Sequence, residues 1–139
     1  TSLPNGNHLV KLIIPANSLI GRSMPYTFVL SSGQSSSMVS VKVNEPPSSG
    51  KLIVSPRNGT ELDTIFSFTA VQWYDVDLPL SYQFGYFKWN SKSTSEMEVL
   101  RLRSESSYDY RILPAGNPSS NNELKCGLLA YDSLLASSL

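Results

Sequence analysis

The chain has 139 residues, 40% hydrophobic and 16% charged, which suits about one domain able to bury its own core and does not suit disorder throughout. Eleven basic residues balance eleven acidic ones, so the positive footprint that a phosphate backbone demands is missing and nucleic acid is not an expected partner. No apolar run nears the roughly 20 residues that cross a bilayer, and the amino terminus lacks the charged-then-apolar order of a signal peptide, so the chain as given is expected neither to span a membrane nor to address itself to one.

Two residue counts restrict the chemistry. Cys126 is the single cysteine, which removes an internal disulfide and a thiolate zinc site. His8 is the single histidine and has no nucleophile and base arranged around it, so Ser-His-Asp and Cys-His schemes fail and no enzyme is expected. No cofactor is called for. Serine is in surplus, clustered where turns and loops between strands are expected.

In chain order, His8–Ile14 is rich in β-branched residues and leucine and stops at Pro15, which predicts a strand. Residues 17–22 read as a turn. Tyr26, Phe28 and Leu30 share one face at period two, as do Val39, Val41 and Val43, with a polar connector around Gly33 between them. Three antiparallel strands are therefore expected before Asn44. Pro46 and Pro47 cannot donate to a central ladder, so pairing should stop or change sheet there. Residues 1–44 are accordingly read as the last strands of a preceding β-sandwich and 45–139 as a second one.

Within that second stretch, Lys51–Pro56 and Thr64–Ala70 are strand candidates separated by a turn at Arg57-Asn58-Gly59-Thr60, where Asn-Gly is the turn signal. An acidic turn, Asp75-Val76-Asp77, precedes residues 80–89, where Tyr82, Phe84 and Tyr86 share one face and Gln83, Gly85 and Phe87 the other. Glu98–Arg103 and Tyr108–Leu113 are shorter strand candidates, and the continuous apolar run Leu124–Tyr131 suits a buried strand, with a short helix as the alternative that periodicity alone does not separate from it. Many short strands with frequent punctuation predict an all-β fold of immunoglobulin or fibronectin-III type.

The run from Asn44-Glu45-Pro46-Pro47 through Ser55-Pro56-Arg57-Asn58-Gly59-Thr60, Phe66 and the block Trp73 to Phe84, together with Leu113-Pro114-Ala115-Gly116 and Ala130-Tyr131-Asp132-Ser133, resembles the receptor-for-egg-jelly (REJ) module of polycystin-family proteins. The resemblance implies sandwiches in tandem within a large ectodomain, on the extracellular side of a membrane such as a cilium or flagellum surface. Its partners would be other extracellular domains, filament proteins or a polycystin-type channel. On this reading the chain is an excerpt of a longer polypeptide, with the last strand of the second sandwich missing and open strand edges prone to association.

Few residues stand out as sites. Asn58-Gly59-Thr60 is an N-glycosylation sequon on a predicted loop. Asp75 and Asp77, with Asn44-Glu45 in the linker, offer hard oxygen ligands for calcium, although an acidic turn capped by its own aspartates explains them equally. Trp73, Tyr82, Phe84 and Tyr86 are expected in the core rather than on a recognition surface. Phe87 and Trp89 are expected as exposed contacts. The function expected is a non-catalytic spacer and adhesion surface; the alternative is a calcium-dependent carbohydrate-binding β-sandwich using Asp75, Asp77 and nearby aromatics.

Overall fold

The computed structural model describes residues 9–16, 18–21, 24–88 and 96–139. Their regular structure is β-strand apart from a single 3-10 turn at Pro118–Ser120. The chain divides into two compact units, residues 1–43 and 44–139.

The first unit is built on one antiparallel hairpin, β1 (Tyr26–Ser32) and β2 (Ser35–Val41). Ser32 opposes Ser35, so the turn is only Gly33-Gln34, and Gly33 takes φ +61. That left-handed conformation is open to glycine without steric cost and matches the twist of the flanking strands. The polar connector expected around Gly33 is thus mostly strand. Phe28 faces Val39, and the hydroxyls of Thr27 and Ser40 lie 3.0 Å apart across the ladder. The strand expected over His8–Ile14 is not formed: residues 9–14 carry no strand, and His8 lies outside the described residues. β-Branched content favours extended backbone, but a strand also needs a ladder partner, and β1 and β2 pair with each other.

The second unit holds β3 (Lys51–Ser55), β4 (Ile65–Val71), β5 (Ser81–Phe87), β6 (Met97–Ser104), β7 (Tyr108–Ile112), β8 (Lys125–Tyr131) and β9 (Ser137–Ser138). They form a three-stranded sheet in the order β3-β4-β7 and a four-stranded sheet in the order β6-β5-β8-β9. Period-two alternation does the sorting: Phe66, Phe68 and Ala70 of β4 are buried, as are Tyr82 and Phe84 of β5 and Leu128 and Ala130 of β8. These residues from both sheets make one core, with Trp73, Leu52, Val54 and Leu100 packed against it. Phe68 and Phe84, both 0% exposed, meet edge to face with ring centroids 6.0 Å apart. Burying each such ring favours folding by about 2–3 kcal/mol.

One lateral side of this unit is closed by charge. From β6, Arg101 donates through Nη1 to the Tyr108 carbonyl at 2.7 Å and through Nη2 to Ser104 Oγ at 2.5 Å. Asp109 of β7 lies 3.9 Å from Arg101 Nη1 and 2.9 Å from Arg111 Nε. At the other lateral side β3 faces β8, and no such pairing is seen there among the described residues. Near the start of the unit, the backbone of Ser48 exchanges two hydrogen bonds with Tyr74, each 3.0 Å. The bridge sets the linker beside the acidic turn.

Candidate functional site

The turn between β4 and β5 is held by its own first aspartate. Asp75 Oδ1 accepts the N–H of Asp77 at 2.9 Å, an Asx turn of the kind short acidic side chains favour. The carbonyl of Asp77 then accepts the N–H of Ser133 at 3.0 Å, which ties this turn to the loop between β8 and β9. In that loop Asp132 is 1% exposed. Its Oδ1 accepts the N–H groups of Leu134 and Ala136, each at 2.9 Å, and its Oδ2 accepts the side-chain amide of Asn44.

A buried carboxylate is expensive unless hydrogen-bonded, and three donors meet this one. The same arrangement gathers negative charge. Asp75, Asp77 and Asp132 each offer a carboxylate oxygen within 4.8 Å of the others. A cation of calcium's size, which needs six to eight oxygens, would find three carboxylates here and would need further carbonyls and waters. The donor set is hard oxygen throughout, which suits calcium or magnesium over zinc.

The structure therefore brings Asn44, Asp75 and Asp77 together around Asp132, which the sequence reading quoted in the Ala130-Tyr131-Asp132-Ser133 stretch but did not count as a site residue. Asp132 lies more than fifty residues from the Asp75–Asp77 turn, and no local spacing links them. Apart from that stretch, its local signal is its place directly after an apolar strand, where a carboxylate caps backbone N–H groups readily. Glu45 is exposed and does not join the cluster.

The other candidates are scattered. Asn58 is exposed in the loop between β3 and β4. Phe87 is half-buried at the end of β5, its ring close against Gly127 and 5.3 Å below the Lys125 ammonium. Trp89 lies outside the described residues. Tyr82 and Phe84 are buried and cannot stack on a sugar; the exposed aromatic beside the acidic turn is Tyr74. Burial pushes the Cys126 thiol up to about 11, so it is a protonated, weakly reactive group at neutral pH.

The model of one protein family, described as the REJ domain, matches residues 3–138. Comparison with curated protein sequences and with solved structures gave no match.

Proposed function

Because the chain belongs to the REJ domain family, we propose that it serves as a non-catalytic extracellular module, a spacer and protein-binding surface within the ectodomain of a polycystin-related membrane protein. REJ domains are structural extracellular modules of polycystin-like proteins. The observation that carries the reading is that one family model runs across both all-β units. Two sheets of three and four strands around an aromatic core support a fibronectin-III-like reading of the second unit. Its mechanism is geometric: a packed β-unit transmits position and force between neighbouring domains without a reacting group. Partners of this kind are other ectodomain modules, extracellular filaments or a polycystin-type channel, on a ciliary or flagellar surface. The test is an epitope placed in the Asn58 loop of the full-length protein. Labelling of intact cells by an impermeant antibody supports the reading; labelling only after permeabilisation rejects it.

A second reading, a calcium-dependent carbohydrate-binding β-sandwich, draws its support from the meeting of Asp75, Asp77 and Asp132. An ion that binds only the folded state raises the unfolding midpoint in proportion to the logarithm of its concentration. A calcium-dependent rise that magnesium does not reproduce supports it, with glycan-array binding in calcium as the second arm. An unchanged midpoint at millimolar calcium rejects it.

A further inference from the structure

We infer that the outer face of the β3-β4-β7 sheet is a contact surface for a second copy of this chain, packed sheet to sheet about a two-fold axis along β4. Register decides which side chains lie on this face. Phe66 and Phe68 of β4 belong to the core, and their partners on β7 are Arg111 and Asp109. Directly opposed residues point the same way, so Tyr108, Tyr110 and Ile112 share the outer face with Thr69, Ser67 and Ile65. Ile53 and Ser55 of β3 join them through their pairing with Thr69 and Ser67.

β7 is therefore inverted. A sheet with one solvated face normally turns its apolar residues inward and its polar ones outward. Here the inner side of β7 carries Asp109 and Arg111, ion-paired at 2.9 Å with the Asp109 side chain only 14% exposed, while Tyr108, Tyr110 and Ile112 stand in water. With Ile53 and Ile65 they make five large side chains between 46% and 65% exposed on one sheet face. Among the outward positions of the three strands Lys51 is the single charge. A contiguous apolar patch marks an interaction site, and tyrosine without charge is the composition of an interface core.

The shape of the face points to its occupant. One row across the sheet reads Tyr110, Ser67, Ser55, and the next reads Tyr108, Thr69, Ile53. Bulk stands on β7, and a hollow lies over Ser67 and Ser55. The two tyrosines brace each other edge to face with centroids 6.2 Å apart, which fixes the ridge. In the hollow Ser67 Oγ donates to the Ser55 carbonyl at 3.0 Å, so that hydroxyl is already satisfied within the sheet. A two-fold axis along β4 lays β7 of one copy over β3 of the other, which seats Tyr110 at the partner's Ser55 and sets Tyr108 on the partner's Ile53. Aligned sheets pack in this way about 10 Å apart. The same patch supplies ridge and hollow to both copies, as an isologous contact requires, and with so little charge the copies do not repel. Three short strands offer less than the roughly 800 Å² per partner of a standard interface, so the dimer should be weak, with a dissociation constant on the order of 100 μM. This contact does not depend on the membrane setting proposed above.

The experiment is sedimentation equilibrium of this chain between about 5 and about 500 μM, with amide NMR shifts followed over the same dilution. The mass should climb from monomer toward dimer, and the shifts should move at Ser55, Ser67 and Tyr110 but not along β5 and β8. Tyr110→Ser sets hollow against hollow and Ser55→Tyr sets ridge against ridge, so each should hold the monomer mass throughout. The double variant exchanges ridge and hollow and should recover the dimer. The inference is overturned by a monomer mass at every concentration, or by a dimer that survives Tyr110→Ser, which would place the contact at a strand edge or on another face. A double variant that is folded by circular dichroism yet stays monomeric also overturns it.

Discussion

The side-chain amide of Asn44 donates to Oδ2 of Asp132, joining the first residue of the second unit to the β8–β9 loop 88 positions away in sequence. Asp132 accepts at both oxygens and is buried, so it acts as a fixed anion around which Leu134, Ala136 and Asn44 are arranged. Replacing it with alanine leaves two backbone N–H groups and one amide without their acceptor. Each orphaned buried donor costs about 1–3 kcal/mol. We expect Asp132→Ala to lower the unfolding free energy by about 2–4 kcal/mol, and Asn44→Ala, which leaves the two backbone bonds in place, by about 1–2 kcal/mol. Urea unfolding checks both, and equal losses from the two variants would show that the backbone bonds contribute nothing.

The same cluster separates stability from ion binding. Asp75 and Asp77 are only half-buried, and Asp75 supports the turn through one hydrogen bond. The double variant Asp75→Asn, Asp77→Asn keeps side-chain oxygens for the turn and removes two like charges from beside Asp132. Without calcium we expect a change within about 1 kcal/mol, because the loss of a charged acceptor and the relief of repulsion oppose each other. In millimolar calcium, any midpoint rise seen for the natural chain should be absent from this variant. Differential scanning calorimetry in chelator and in calcium reads both.

What the sequence disclosed depended on range. Period-two alternation is a local property, and it located β4 and β5 because each buries one face against a facing sheet, whereas β8 showed as a continuous apolar run and β7 keeps Tyr108, Tyr110 and Ile112 exposed. It also marked Tyr82 and Phe84 as core. The same logic misjudged His8–Ile14, where apolar content was present but no neighbouring strand took residues 9–14 into a ladder. Asp132 appeared in the sequence only as part of the Ala130-Tyr131-Asp132-Ser133 stretch, and its role as an acceptor was not legible because its partners Asn44, Asp75 and Asp77 are remote and no local spacing links them. Asp75 and Asp77 could be noticed because both lie in one turn. Their meeting with Asp132 required the fold.

Gly50 shows a constraint that composition hides. The indole of Trp73 occupies the space a Cβ on Gly50 would need, touching it at Cγ, Cδ2 and Cε2. Trp73 in turn packs against the core. Gly50→Ala must therefore push the indole outward or shift the strand start at Lys51. Overpacking of this kind costs about 1–3 kcal/mol. A blue-shifted, protected tryptophan emission in the natural chain should move toward longer wavelength in the variant, alongside a lower urea midpoint. The companion Trp73→Phe, which shortens the ring system, should recover part of the loss in the double variant; a simple sum of the two losses would show that the residues do not meet.

Alkaline instability should follow from Cys126 and Tyr82. Burial raises the thiol from 9.0 to about 11 and raises the Tyr82 phenol above 10.0. Both groups hold their proton more firmly in the folded chain than in the unfolded one. Below about pH 9 the two states carry the same protons on these groups, so stability does not depend on them. As pH climbs from about 9 the unfolded thiol ionises first, and stability falls until the folded thiol ionises near pH 11. Tyr82 extends the fall above pH 10. Urea midpoints at pH 7, 9, 10 and 11 should therefore decline across the last three values. Cys126→Ala should reduce the slope between pH 9 and 10 while keeping the later decline that belongs to Tyr82. Thiol alkylation gives a second reading of the same shift. Two pH units correspond to about 100-fold less thiolate, so Cys126 in the folded chain should react about 100-fold more slowly at pH 8 than in the urea-unfolded chain. Equal rates would place the sulfur in water, and the pH slope of the natural chain would then have to come from other groups.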